Sequence, residues 1–135
     1  MTKFVVDAGT VLRLAETGDV VAEGHELLAP TLVRSQLLAA MHEAVARGDV
    51  PAADALRRLD RAGGMRIRLL GDAVLRRTAW KVADRMGWAS TFDAEYVALT
   101  ILQGDCLVTA DEALARAAAA EVRVAPYAAL LEPAP

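Results

Sequence analysis

The chain has 135 residues, 55% of them hydrophobic and 4% aromatic, and a net charge of −3. That length suits one domain able to bury a core, chiefly of Ala, Val and Leu, without disulfide or metal staples. A negative net charge argues against indiscriminate nucleic-acid binding over the whole surface. The single cysteine, Cys106, cannot close an internal disulfide and sits in an apolar run, as a small buried hydrophobe would. The opening apolar stretch before Asp7 is too short for a signal peptide. No run reaches the roughly 18 apolar residues a membrane span requires, so no membrane is expected as a partner. The compartment these features imply is reducing and cytoplasmic.

In chain order, Phe4-Val5-Val6 reads as a buried strand ending at Asp7, with an apolar stretch from Ala8 to Leu14 broken at Gly18-Asp19. Residues 20–26 suggest a short helix leading into a second strand, Glu26-Leu27-Leu28-Ala29. Pro30 sits where a helix can begin, and apolar residues at Val33, Leu37, Ala40, Met41, Ala44 and Val45 carry that helix from Thr31 to Arg47. Pro51 opens another to about Arg61, with Ala52, Ala55, Leu56 and Leu59 inward. After the Gly63-Gly64 turn, Ile67 and Leu69 alternate with Arg66 and Arg68, a half-exposed strand at a sheet edge. Asp72 caps a helix that Gly87 stops near Met86.

Ser90-Thr91-Phe92-Asp93 starts a helix with Ala94, Val97, Ala98 and Ile101 inward, ended by Gly104. Cys106-Leu107-Val108 is a strand. Thr109 and Glu112 form a capping box for a helix to about Ala120. Val122-Arg123-Val124 is a last strand, and Tyr127 to Leu131 a last helical turn. Short strands alternating with helices predict an α/β fold of three layers, a mostly parallel central sheet flanked by helices. Residues 1–131 form one domain and 132–135 a loose tail.

Ligands of such sheets bind beyond the carboxyl ends of the strands. Asp7 follows one strand, Asp111 lies three residues after another, and Asp93 begins a helix on the same side. Each has a bland reading. Asp7 can cap a helix at Ala8, and Asp93 and Asp111 sit in first turns, where negative charge suits the helix dipole. Together they predict an acidic pocket whose mutual repulsion a divalent ion relieves, and hard oxygen donors favour Mg²⁺ or Mn²⁺.

The same segments resemble a family. Val5-Val6-Asp7-Ala8, Ala29-Pro30-Thr31-Leu32-Val33, Asp93-Ala94-Glu95-Tyr96-Val97-Ala98-Leu99 and Leu107-Val108-Thr109-Ala110-Asp111-Glu112 are similar, in order, to segments of PIN-domain proteins, in particular the VapC-type toxins of bacterial toxin–antitoxin pairs. The resemblance spans nearly the whole chain and implies a PIN-like fold. It also implies a metal-dependent endoribonuclease in which Asp7, Asp93 and Asp111 hold the ion and a metal-activated water attacks the RNA phosphodiester. Its implied partners are RNA, a cognate antitoxin and a second copy in a homodimer. The family's early helical Glu is replaced by Gln36, which keeps length and one oxygen but neither charge nor basicity. Glu43, about 10 Å further along the helix, cannot take its place. Gly9 stands where the family often has Ser, and Thr10 offers a hydroxyl instead.

Two rival readings stand beside this one. Gln36 suits a PIN-fold module that binds RNA or protein without cutting. Asp7-Ala8-Gly9-Thr10 faintly resembles the nucleophile loop of haloacid-dehalogenase phosphatases and phosphotransferases, although Gly9 replaces their second Asp. Elsewhere, residues 57–85 hold nine Lys/Arg against three acids. The cations are overwhelmingly Arg, thirteen against two Lys in the chain, which reads either as genomic base composition or as a phosphate-facing surface. His25 and His42 lack metal-ligand spacing and read as surface or partly packed. Trp80 and Trp88 read as core or dimer packing rather than base-stacking platforms, and Tyr96 as packing.

Overall fold

The structure is a computed structural model that describes residues 1–134. Four strands, β1 (Lys3–Val6), β2 (Glu26–Pro30), β3 (Ile67–Leu70) and β4 (Cys106–Val108), form one sheet in the order β3-β2-β1-β4. Every pairing is parallel, with Val5 opposite Leu28 and Leu107, and Leu28 opposite Arg68. Six helices flank it: α1 (Ala8–Thr17), α2 (Leu32–Ala46), α3 (Ala52–Gly63), α4 (Ala73–Met86), α5 (Phe92–Leu102) and α6 (Glu112–Ala118). A 3₁₀ turn (Tyr127–Leu130) follows. This is the α/β, three-layer architecture that the alternation of strands and helices predicts, and it is consistent with a PIN-like fold. Beta-3 lies at the sheet edge with Arg68 exposed, as the alternation of arginines with apolar residues from Arg66 predicts.

The layers follow from strand periodicity. Val5, Leu28 and Leu107 point to one face, where α4, α5 and α6 supply Val82, Val97 and Leu114. Phe4, Val6, Leu27, Cys106 and Val108 point to the other, against Val11 and Leu14 of α1, Ala62 of α3 and Leu130. A satellite cluster joins Met41 and Ala44 of α2 to Ala55 of α3. Asp72 caps α4 by accepting from the Leu75 amide at 2.8 Å, and Gly87, at φ 69°, ends it in the left-handed conformation.

Several local expectations are corrected. Residues 20–25 form no helix; Ala22 N–H donates to Leu130 O and Glu26 N–H to Thr2 O, so tertiary partners take the amides a helix would use. Pro30 ends β2 rather than opening α2. It lies beyond the last β2 residue paired with β1, where a missing N–H does little harm to the ladder. Residues 122–124 make only an isolated bridge, Val124 to Leu107. Leu56 is 62% exposed and Ile101 44% exposed, and Ala52 also faces solvent. The buried stripe of α3 is narrow, Ala55 and Ala62, so Leu56 rolls out of it. In α5 burial is concentrated in the continuous stretch Tyr96–Thr100. Trp80 is 67% exposed and belongs to no core cluster, whereas Trp88 packs against the α4–α5 core. No helix among the described residues is long and apolar enough to cross a membrane. Pro135, the end of the expected tail, lies outside the described residues.

Candidate functional site

Beta-1 and β4 are adjacent parallel strands whose following helices, α1 and α6, pack on opposite faces of the sheet. Chains leaving neighbouring strands in opposite directions open a crevice at their carboxyl ends, the usual ligand position in such sheets. Asp7 is the first residue after β1, and Asp111 follows β4 by three residues.

Asp7 is the N-cap of α1. Its Oδ1 accepts from the Thr10 amide at 2.9 Å and the Thr10 hydroxyl at 2.7 Å, and its Oδ2 accepts from the Thr109 hydroxyl. The Ala110 amide approaches both oxygens at 3.3–3.4 Å. These bonds tie the β4–α6 turn to the start of α1. Thr10 is buried, with the Val108 carbonyl a second acceptor at 3.2 Å. Gly9 stands at the same contact: a Cβ there would lie 2.8 Å from Ala110 Cβ. The serine common in the resembled family has no room at this position, and Thr10 supplies the hydroxyl to Asp7.

Asp111 is the N-cap of α6, not a first-turn residue. Its Oδ1 accepts from the Ala113 and Leu114 amides at 2.9 and 3.1 Å. The expected Thr109–Glu112 capping box does not form, because the Thr109 hydroxyl is drawn to Asp7 while accepting from the Asp111 amide at 3.0 Å. Asp93 occupies the first turn of α5, as predicted. Burial raises its pKa above the ordinary carboxylate value, and the negative charges of Asp111 and then Asp7 raise it further. The three aspartates therefore share one electrostatic neighbourhood.

Gln36, on the first turns of α2, reaches the same region through Tyr96. The Tyr96 hydroxyl donates to Gln36 Oε1 at 2.5 Å. Tyr96 is 2% exposed, and its pKa is pushed well above the ordinary value, by burial first and then by the charges of Asp7, Glu95 and Asp93. Burial also raises the pKa of Glu95. Packing alone thus understates Tyr96, whose hydroxyl orients the amide. A tyrosine three residues after Asp93 in the apolar stretch of α5 is the signal for it in the sequence. Thr109 was legible only as a cap, since its bond to Asp7 joins residues 102 apart in the chain. Of the histidines, His25 is partly buried with Nε2 2.6 Å from Glu132 O, and His42 is exposed.

The donor set is chemically suited to a hard divalent cation, because all its members are carboxylate or amide oxygens and the carboxylates repel one another. Among the described residues, the carboxylate oxygens of this set that accept no hydrogen bond are those of Asp93 and Asp111 Oδ2, whereas both oxygens of Asp7 are engaged. As placed, no three of the described Asp, Glu, His and Cys side chains already form a closed ligand set.

Neither the family models nor the curated proteins contain a match to this chain. Among solved structures, the crystal structure of PAE2754 from Pyrobaculum aerophilum is similar over 96% of this chain and 93% of that one, with a TM-score of 0.75 and 24% identity. At that identity, the similarity establishes a shared fold.

Proposed function

We propose that the protein is a metal-dependent endoribonuclease of the PIN-domain, VapC-like kind, with Asp7, Asp93 and Asp111 as the ion's ligands and Gln36 beside them. The observation that supports it is the placement of Asp7 and Asp111 at the carboxyl ends of the adjacent strands β1 and β4, with the charges of both raising the pKa of Asp93 at the start of α5. The order of the family-like segments along the chain supports it. Mg²⁺ or Mn²⁺ bound there would polarise a phosphate oxygen and lower the pKa of a water. The chain's own residues divide the remaining work. Thr10, Thr109 and the Ala110 amide fix Asp7, the Ala113 and Leu114 amides fix Asp111, and Tyr96 holds Gln36 by its carbonyl. Gln36 contributes no charge and accepts no proton at neutral pH, so it orients rather than acts as a base. RNA is the proposed substrate, with a cognate antitoxin and a second copy of the chain as partners in the cytoplasm.

The test is cleavage of single-stranded RNA by the purified chain with Mn²⁺ or Mg²⁺. Asp7→Asn and Asp93→Asn should each lower the rate by on the order of 100-fold or more while the fold persists. Undiminished cleavage by both variants, with contaminating nuclease excluded, would overturn the assignment. A second reading, a module that binds without cutting, is favoured specifically by Gln36 and by the capping bonds that occupy Asp7. Robust turnover by the native chain excludes it. Those same bonds leave Asp7 poorly placed as a phosphoryl-accepting nucleophile, so the phosphotransferase reading gains no support; a trapped aspartyl-phosphate on Asp7 would restore it.

A further inference from the structure

Beside the acidic centre is a cavity of about 350 Å³, between the carboxyl ends of β2 and β3 and the helices α4 and α5. Thr31 and Gly71 form its floor, Arg76 and Trp80 of α4 one wall, and Thr91 and Glu95 of α5 the other. The last two flank Asp93 in sequence, so cavity and acidic centre share the start of α5. Arg76 and Trp80 are four residues apart on one helix and so lie on one face. Trp80 leaves most of its indole in water, an unfavourable placement for the largest apolar side chain. Three cations of α4, Arg76, Arg77 and Lys81, have no ion-pair partner among the described residues; the helix's one ion pair is Arg85 with Glu121. An exposed indole next to unpaired cations is the combination that holds a single strand, stacking for a base and charge for its phosphate.

We propose that single-stranded RNA enters along α4, with one base stacked on Trp80 and the adjoining phosphate held by Arg76, so that the next phosphodiester reaches the acidic centre. The inference rests on the ribonuclease reading for its substrate class, yet it concerns binding alone. Thr91 and Glu95 supply oxygen acceptors opposite the indole for a ribose 2′-hydroxyl or an exocyclic amine. Bases paired in a duplex are unavailable to Trp80, so this face selects unpaired RNA.

Binding is measured on the full chain in EDTA, by the anisotropy of a short fluorescein-labelled single-stranded RNA of mixed sequence. Trp80→Ala should weaken binding roughly 10-fold, and Trp80→Phe should restore most of it. Arg76→Ala should lower the slope of log affinity against log salt by about one. In a Trp88→Phe background, the emission of Trp80 should be quenched by the single strand and not by the same sequence annealed into a duplex. Native affinity in both Trp80→Ala and Arg76→Ala would overturn the inference. So would Trp80 emission that responds to protein concentration rather than to RNA, with Trp80→Ala dissociating a dimer, because the face would then belong to a second copy. Native protein that binds through Trp80 but never cleaves with Mn²⁺ would sink the nuclease reading and leave this one standing. Native protein that cleaves, with Trp80→Ala binding and cleaving equally well, would do the reverse.

Discussion

Asp93 is the residue at which the site's electrostatics can be measured without substrate. Its pKa is raised by burial and by Asp111 and Asp7. A carboxyl that binds its proton more tightly folded than unfolded favours the native state below the unfolded pKa and loses that contribution as pH rises through the folded pKa. At neutral pH the charged form therefore burdens the fold. Asp93→Asn should raise Tm in chelator at pH 7, and the gain should vanish below the ordinary value of 3.8. Thermal melts across that range check it, and a variant no more stable than native at pH 7 would show that burial and the neighbouring charges do not burden Asp93.

Gln36 offers the complementary residue-scale test. A glutamate there would still accept from the Tyr96 hydroxyl while adding a negative charge to the neighbourhood of Asp93. In chelator, Gln36→Glu should destabilise the chain. With Mn²⁺ it should tighten ion binding and increase cleavage by on the order of 10- to 100-fold, the range over which a group supporting a metal site changes affinity or activity. Titration calorimetry and initial rates measure the two effects separately.

At the scale of elements, two of the aspartates are helix caps, and on the proposed reading they would also be ligands. Asp7 and Asp111 begin helices α1 and α6 by accepting their first free amides, so removing the side chain and removing the charge are different experiments. Asparagine caps as well as aspartate, whereas alanine costs about 1 kcal/mol. Asp7→Asn should keep a Tm near native, and Asp7→Ala should fall below it; the difference separates the cap from the ligand. The join between α1 and the β4–α6 turn is tight at Gly9. Gly9→Ser should destabilise by roughly 1–3 kcal/mol, because the added Cβ meets Ala110 within 2.8 Å and the turn must give way. An unchanged Tm in that variant would mean the turn shifts freely.

Helix ends are also where the sequence is most and least informative. Asp72 and Gly87 bound α4 as predicted, because each bonds to backbone groups only three or four residues away. The start of α6 departs from the expected capping box at Thr109, because Asp7, across the β1–β4 pair, claims its hydroxyl. The short helix expected near residues 20–26 does not form, because the Ala22 amide goes to Leu130 and the Glu26 amide to Thr2. Local rules hold where partners are local and fail where a distant partner competes.

For the whole molecule, a ligand that binds only the folded chain raises its stability by mass action, about 2.7 kcal/mol at a concentration of 100 times Kd. Mn²⁺ should therefore raise Tm by roughly 10 °C near that concentration, since about 1 kcal/mol shifts Tm by roughly 4 °C at this chain length. The shift should be absent in Asp93→Asn. Differential scanning fluorimetry with Mn²⁺ and with Ca²⁺ in parallel decides whether a specific ion or general screening is responsible.

By itself the sequence determined the class and order of the fold. Runs such as Phe4-Val5-Val6 and Leu107-Val108 are buried on both faces in any parallel sheet, and the glycines and caps that end α4 act over a few residues. It also placed Asp7, Asp93 and Asp111 at element ends, since that follows from strand and helix polarity. Only the tertiary structure decided that β1 neighbours β4, which brings Thr109 to Asp7 across 102 residues. It alone turned Trp80 to solvent beside a cavity and tied Gln36 to Tyr96. Those outcomes depend on which faces meet once the sheet is assembled, and periodicity along one element specifies its own apolar stripe but not the element that will cover it.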